Sequence, residues 1–182
     1  SNAITSLDVS NNTALTYLNC SSNQLTSLDV SNHTALTHLY CDGNQLTSLI
    51  FNAALTYLNC SQNYLTCLDI SSNPQLNIDC SSNLLEQFNT RNGIFLSLSI
   101  NALSNNLTCV EVDNIGYATN NWDFDSFTTL ATNCNYSNPC NMIFGCTDSL
   151  ACNYDSTATI NDLTCVYPSS NITTATSCNT YT

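Results

Sequence analysis

Twelve cysteines and two histidines are the side chains of this 182-residue chain that could act as nucleophiles or soft metal ligands. A Cys/His nucleophile pair needs an exposed thiol activated by a base. Cys20, Cys41, Cys60 and Cys80 instead close Leu-x-Cys or Ile-x-Cys alternations, which turn the apolar side chain and the thiol to the same side of a strand. His33 falls in a loop, and His38 shares a strand position with Tyr17 and Tyr57. No catalytic residue is assigned, and the chain is read as a non-enzyme. No Cys-x2-Cys pair occurs, and thiols of one strand slot cannot surround a tetrahedral zinc ion. Hard ligands are a separate matter. Asp148, Asp155 and Asp162 recur at spacings of seven, with Asn153 and Asn161 between them. Such oxygens suit Ca2+; the competing reading is solvated acidic surface. No other cofactor is implied.

The charge balance removes further classes. Thirteen acidic residues face a single basic one, Arg91, for a net charge of −12. Nucleic-acid binding requires cations to displace phosphate counterions, and docking on anionic lipid requires them too. No apolar run approaches the ~20 residues of a membrane-spanning helix. Polarity comes from Ser, Thr and Asn, and the cysteine content fits an oxidising compartment. A secreted or cell-surface protein is expected.

The elements that position these residues are repeats. Leu15-Thr16-Tyr17-Leu18-Asn19-Cys20 recurs as Leu36-Thr37-His38-Leu39-Tyr40-Cys41 and Leu55-Thr56-Tyr57-Leu58-Asn59-Cys60, then more weakly up to Cys80. The last copy is aligned at Leu98-Ser99-Ile100, so the ladder runs 20, 41, 60, 80, 100. Asn23, Asn44, Asn63 or Asn83 stands three residues past each cysteine, and Leu25, Leu46, Leu65 or Leu85 five past it. This is the leucine-rich repeat pattern with cysteine in the third apolar slot. A single coil cannot bury its apolar face, so coils stack about 4.8 Å apart into a shared core, with the asparagines satisfying backbone groups between coils. The ladder thiols Cys20, Cys41, Cys60 and Cys80 are expected buried and reduced. Cys67 is placed with them as a fifth buried free thiol, because Cys109 fills its slot only two coils on, about 9–10 Å away and beyond disulfide reach.

The second halves, Leu25-Thr26-Ser27-Leu28-Asp29-Val30 and Leu65-Thr66-Cys67-Leu68-Asp69-Ile70, resemble the short-repeat, internalin-like leucine-rich proteins of bacteria. The resemblance implies a right-handed, mostly parallel-β solenoid of the horseshoe class whose convex side is loop or 3₁₀ segment. The shorter copy from Leu46 to Ala54 predicts a tighter convex loop, and Arg91-Asn92-Gly93 a bulging one. Residues 1–3 read as a scar of tag removal, 4–113 as repeats, 114–134 as a C-terminal cap, 135–168 as a cysteine-rich module and 169–182 as a Ser/Thr/Asn-rich linker. The chain opens on the second half of a repeat, which reads as a piece of a longer exported protein.

In the cap, Phe127, Leu130 and Ala131 have helical spacing, and Trp122 and Phe127 are the expected covers of the solenoid end. Cys109 and Cys134 resemble the cysteine staple of capped, secreted leucine-rich repeat proteins, which implies their pairing. The tail, Gly145-Cys146-Thr147-Asp148 through Ala151-Cys152-Asn153-Tyr154 to Cys165, resembles a short module of bacterial surface proteins. That resemblance implies a Cys146–Cys165 bridge; Cys140, Cys152 and Cys178 are left without an assigned pairing.

Outward strand positions form columns: Thr16, Thr37, Thr56; Tyr17, His38, Tyr57; and Asn19, Tyr40, Asn59, Asp79, with Asp42 at the edge. Tyrosine supplies large contact area at low entropic cost, whereas Thr and Tyr are also simply good strand residues. The columns point to a monomeric recognition or adhesion module that binds a protein partner on its concave sheet. The alternatives are a glycan-binding module, in which the rings stack on sugars, and a structural spacer or stalk of a larger surface protein.

Overall fold

The computed structural model describes residues 3–93, 99–135, 140, 144–146, 148–155, 160–161 and 165–167. The chain divides into two compact units, Ser1–Cys140 and Asn141–Thr182.

The first unit is a leucine-rich repeat solenoid. Its elements in chain order are β1 (Tyr17–Asn19), β2 (Ser27–Asp29), β3 (His38–Tyr40), β4 (Ser48–Ile50), β5 (Tyr57–Asn59), β6 (Cys67–Asp69), β7 (Asn77–Asp79), β8 (Gln87–Asn89), β9 (Ile100–Asn101), β10 (Cys109–Glu111), α1 (Ile115–Asn121) and β11 (Thr129–Ala131). Within the repeats the odd strands, β1 to β9, stack as a parallel sheet in the order β1-β3-β5-β7-β9. The half of each coil expected to be loop or 3₁₀ segment carries strands as well: β2 pairs with β4, and β6, β8, β10 and β11 form a four-stranded sheet. The cause is a second alternation, in which Leu28 and Val30, or Leu68 and Ile70, are buried while Asp29 and Asp69 face outward. The inward leucines of both sheets and the ladder cysteines of the first make one core.

The register corrects the last repeat. Ile100 is the partner of Ile78, so it fills the leucine slot and not the cysteine slot. Ala102, fully buried, takes the place of cysteine, with Asn105 three and Leu107 five residues beyond it. The Asn/Leu spacing rule of the earlier coils already favours 102 over 100.

The cap also differs from its expectation. The helix is Ile115–Asn121, with Asn114 accepting from the Tyr117 N–H, and Thr129–Ala131 is a strand paired with β10. Trp122 packs against the core as expected, but Phe127 is exposed and Phe124 packs there in its place. The cap is a worn-down further coil. The Asp123 N–H donates to the Ile100 carbonyl at 2.8 Å, and Asp125 accepts from the Ser104 and Asn105 N–H groups, each at 3.1 Å. Residues 94–98 of the expected bulge lie outside the described residues, while Arg91 approaches Asp113 (3.9 Å), which also accepts from the N–H groups of Asn92 and Gly93.

In the second unit β12 (Phe144–Gly145) pairs in parallel with β13 (Ile160–Asn161). Cys146 is bonded to Cys165, and Cys152 is also disulfide-bonded. Cys178 and the expected linker lie outside the described residues.

Candidate functional site

Three internal ladders hold the coils, and they decide which outward residues are available. In the first, Asn44 donates from Nδ2 to the carbonyls of Cys20 and Cys41, both at 3.0 Å, and accepts from the Leu25 N–H at 3.0 Å. Asn63, Asn83 and Asn105 repeat this geometry. In the second, at the opposite turn, Asn52 donates to the His33 carbonyl and Asn73 to the Asn52 carbonyl, both at 2.9 Å. His33 occupies the same column, three residues before Leu36, buried and donating from Nε2 to the Val9 carbonyl at 3.0 Å. Sequence reasoning missed this ladder; the signal was a polar residue three positions before Leu36, Leu55 and Leu76.

The third is the thiol ladder. Cys20, Cys41, Cys60 and Cys80 are buried and unbonded. Burial, with some repulsion from Asp42, pushes the Cys20 thiol up to about 11, and burial first of all raises Cys41, Cys60 and Cys80 well above the usual thiol range. They are packing groups, not nucleophiles.

Cys67 does not belong with them. It is bonded to Cys140, with Cα atoms 5.1 Å apart. The alternation of β6 sends Leu68 inward and hence Cys67 outward, half-buried on the outer face of the second sheet. Cys109 is indeed not its partner; the bonded cysteine arrives from beyond the repeats. Cys109, on the same outward column, is bonded to Cys134, and the Cys134 N–H donates to Glu111 Oε1 at 2.9 Å.

On the first sheet, many outward residues are occupied with the fold. The Thr37 and Thr56 hydroxyls donate to the carbonyls of Thr16 and Thr37, at 3.1 and 3.2 Å. Asn19, Asn59 and Asp79 each accept from the N–H two residues on, at 3.0–3.1 Å, holding the turn after the strand. Four rings are left. Register sets His38 between Tyr17 and Tyr57, with ring centroids 6.5 and 6.1 Å away. Tyr40 nestles against both tyrosines, at 5.4 and 5.0 Å. Tyr17 is half exposed and His38 is exposed. Asp42 lies beyond Tyr40, accepting from the Ser21 hydroxyl at 2.6 Å. Burial, then Tyr40, Asp79 and Asp42 in that order, hold the Tyr57 phenol above the usual tyrosine range. A continuous aromatic plate with an acidic border therefore spans β1, β3 and β5.

Of the tail carboxylates, Asp148 is engaged locally. Asp148 accepts from the Leu150 N–H at 2.9 Å and the Tyr167 hydroxyl at 2.8 Å, which lowers its pKa, the first bond foremost. Asp162 lies outside the described residues, and among those described no three His, Cys, Asp or Glu side chains converge on a metal position.

Residues 13–53 match the family model described as leucine-rich repeats (2 copies). No curated protein matches the chain. Among solved structures, the chain is similar to the functional domain of InlJ from Listeria monocytogenes, described as including a cysteine ladder. The two share 28% identity over 69% of this chain with a TM-score of 0.41, and the match spans 38% of the length of that relative.

Proposed function

We propose that the chain is a non-catalytic recognition or adhesion module of a secreted or cell-surface bacterial protein, binding a protein partner through the outer face of the first sheet. The observation that carries this is the plate of Tyr17, His38, Tyr40 and Tyr57, whose neighbouring rings lie 5.0–6.5 Å apart on three adjacent strands. Tyrosine-rich, rigid surfaces bury large area with little entropic loss. Disulfides in both compact units fit an extracellular compartment. The test is surface plasmon resonance of the immobilised chain against a panel of extracellular ectodomains, alongside a glycan array. A binder that is lost with Tyr17→Thr/Tyr40→Asn/Tyr57→Thr, at an unchanged melting temperature, supports the proposal. A hit on the glycan array alone would transfer the site to sugars, and binding indifferent to the triple variant would remove it from this face.

A further inference from the structure

The coil that contributes Tyr40 breaks the column rules at three successive outward or corner positions. Tyr40 stands where the other coils have Asn19, Asn59, Asp79 and Asn101; Asp42 where they have Ser21, Ser61, Ser81 and Leu103, none of them charged; and Gly43 where they have Ser22, Gln62, Ser82 and Ser104. The residues it gives up serve the fold: an acceptor for the turn N–H and a neutral hydroxyl. Local departures of this kind, against an otherwise consistent pattern, mark function. What they install is a ring and a carboxylate side by side.

We infer that this plate receives a cationic side chain, arginine or lysine, from a basic segment of the partner; the inference rests on the proposed binding face. Ring faces of tyrosine attract guanidinium and ammonium groups, and a carboxylate beside the ring adds the counter-charge. That charge is not met from within. The chain has no lysine, and its single arginine, Arg91, sits beside Asp113. Among the described residues, Asp42 and Asp79 have neutral partners, Ser21 and Ser81. A net charge of −12 draws basic partners to the surface at long range, and the plate gives them one place to settle.

The experiment uses the full chain and a fluorescent hexa-arginine peptide, followed by anisotropy at low salt, with a hexaglutamate peptide as the control. Tyr40→Asn and Asp42→Ser each restore the residue type of neighbouring coils, so the solenoid is kept. Each is expected to weaken hexa-arginine binding about tenfold. Asp29→Asn, which removes the same charge from the second sheet, is expected to change it by less than about twofold. Equal losses in all three variants, or no hexa-arginine binding, overturn the inference. A protein partner that needs Tyr40 but ignores both Asp42→Ser and added salt would overturn it too, while leaving the aromatic binding face in place. A partner indifferent to Tyr17→Thr/Tyr40→Asn/Tyr57→Thr would instead defeat that binding face.

Discussion

The two outer faces of the solenoid are built by the same coils and end differently. Inward, they are alike: Leu39 and Leu58 under the first sheet and Leu49 and Leu68 under the second are all buried in one core. Outward, the first sheet carries the aromatic plate, and the second carries Cys67 and Cys109, bonded to Cys140 and Cys134. Both bridges fasten the segment that follows the repeats to the second face, one on β6 and one on β10. Inward positions answer to packing, so they carry no functional information. Outward positions are free to diverge, and here one face was spent on covalent closure while the other kept exposed rings.

Removing the closure should have the largest effect. The Cys67–Cys140 bridge spans 73 residues of sequence, and chain-entropy reasoning gives it about 4 kcal/mol. Cys67→Ser/Cys140→Ser should lower unfolding stability by that order in urea titrations, with binding at the first face unchanged once folded. Loss of binding in a folded variant would mean that the two faces are coupled. Next comes Cys109→Ser/Cys134→Ser, whose 25-residue span is worth about 3 kcal/mol. Because this loop is nested in the larger one, the two losses should sum to less than their separate values. Hydrogen exchange should show lost protection concentrated between Leu85 and Leu130, since solenoid damage spreads inward from the affected end. Uniform loss along the chain would contradict that picture.

The comparison also explains what could be read from the sequence. The coils, their stacking and the inward residues were legible because periodicity reports burial directly: Leu25, Leu46, Leu65 and Leu85 all lie in the core. The second row of strands was legible in principle, since Leu28 and Val30 alternate as cleanly as Leu18 and Cys20, but a family expectation of loops overrode the pattern. Cys67 was misplaced because cysteine type was allowed to outvote strand parity; one step of the pleat reverses a side chain's direction. In the cap, spacing over 125–131 suggested a helix, yet pairing with β10 made Thr129–Ala131 a strand, tertiary context overriding a short apolar pattern. In the candidate site, the ring columns followed from alternation, but that Thr37, Asn59 and Asp79 are engaged in the fold required hydrogen-bond geometry.

The thiol ladder offers a test of the shared core. Burial raises the folded-state pKa of all four thiols, Cys20 to about 11. The sign follows: folded thiols hold their protons to higher pH than unfolded ones, so the ladder's contribution is full below the ordinary thiol pKa of 9.0 and declines as pH rises through about 11. Urea stability of the chain should therefore fall between about pH 8 and about pH 10.5 by more than that of a Cys41→Ala/Cys60→Ala variant. At neutral pH none of the four should react with maleimide until the chain is unfolded. Equal pH dependence in both proteins would show that the thiols do not set it.

The smallest effect concerns how the second coil tolerates its departure at the face. Ser22, Gln62, Ser82 and Ser104 hold φ of 55–61° before each ladder asparagine, and Gly43 holds 64°. A left-handed conformation costs a non-glycine residue about 1–2 kcal/mol, part of which glycine returns through its freer unfolded chain. In the other coils the strain at this corner is offset by the Asx bond that Asn19, Asn59 or Asp79, or at longer range (3.3 Å) Asn101, accepts from the N–H two residues on. Tyr40 supplies no carboxylate or amide oxygen, and glycine at 43 relieves the corner instead. Gln62→Gly should thus stabilise the chain by less than about 1 kcal/mol, and Gly43→Ser should destabilise it by about 1 kcal/mol. In the Tyr40→Asn background the Gly43→Ser penalty should shrink, because the turn bond is restored at the Asp42 N–H, immediately before the strained position. Strict additivity in that double-mutant cycle would mean that ring and glycine were acquired independently, and that Gly43 is no compensation for the exposed tyrosine.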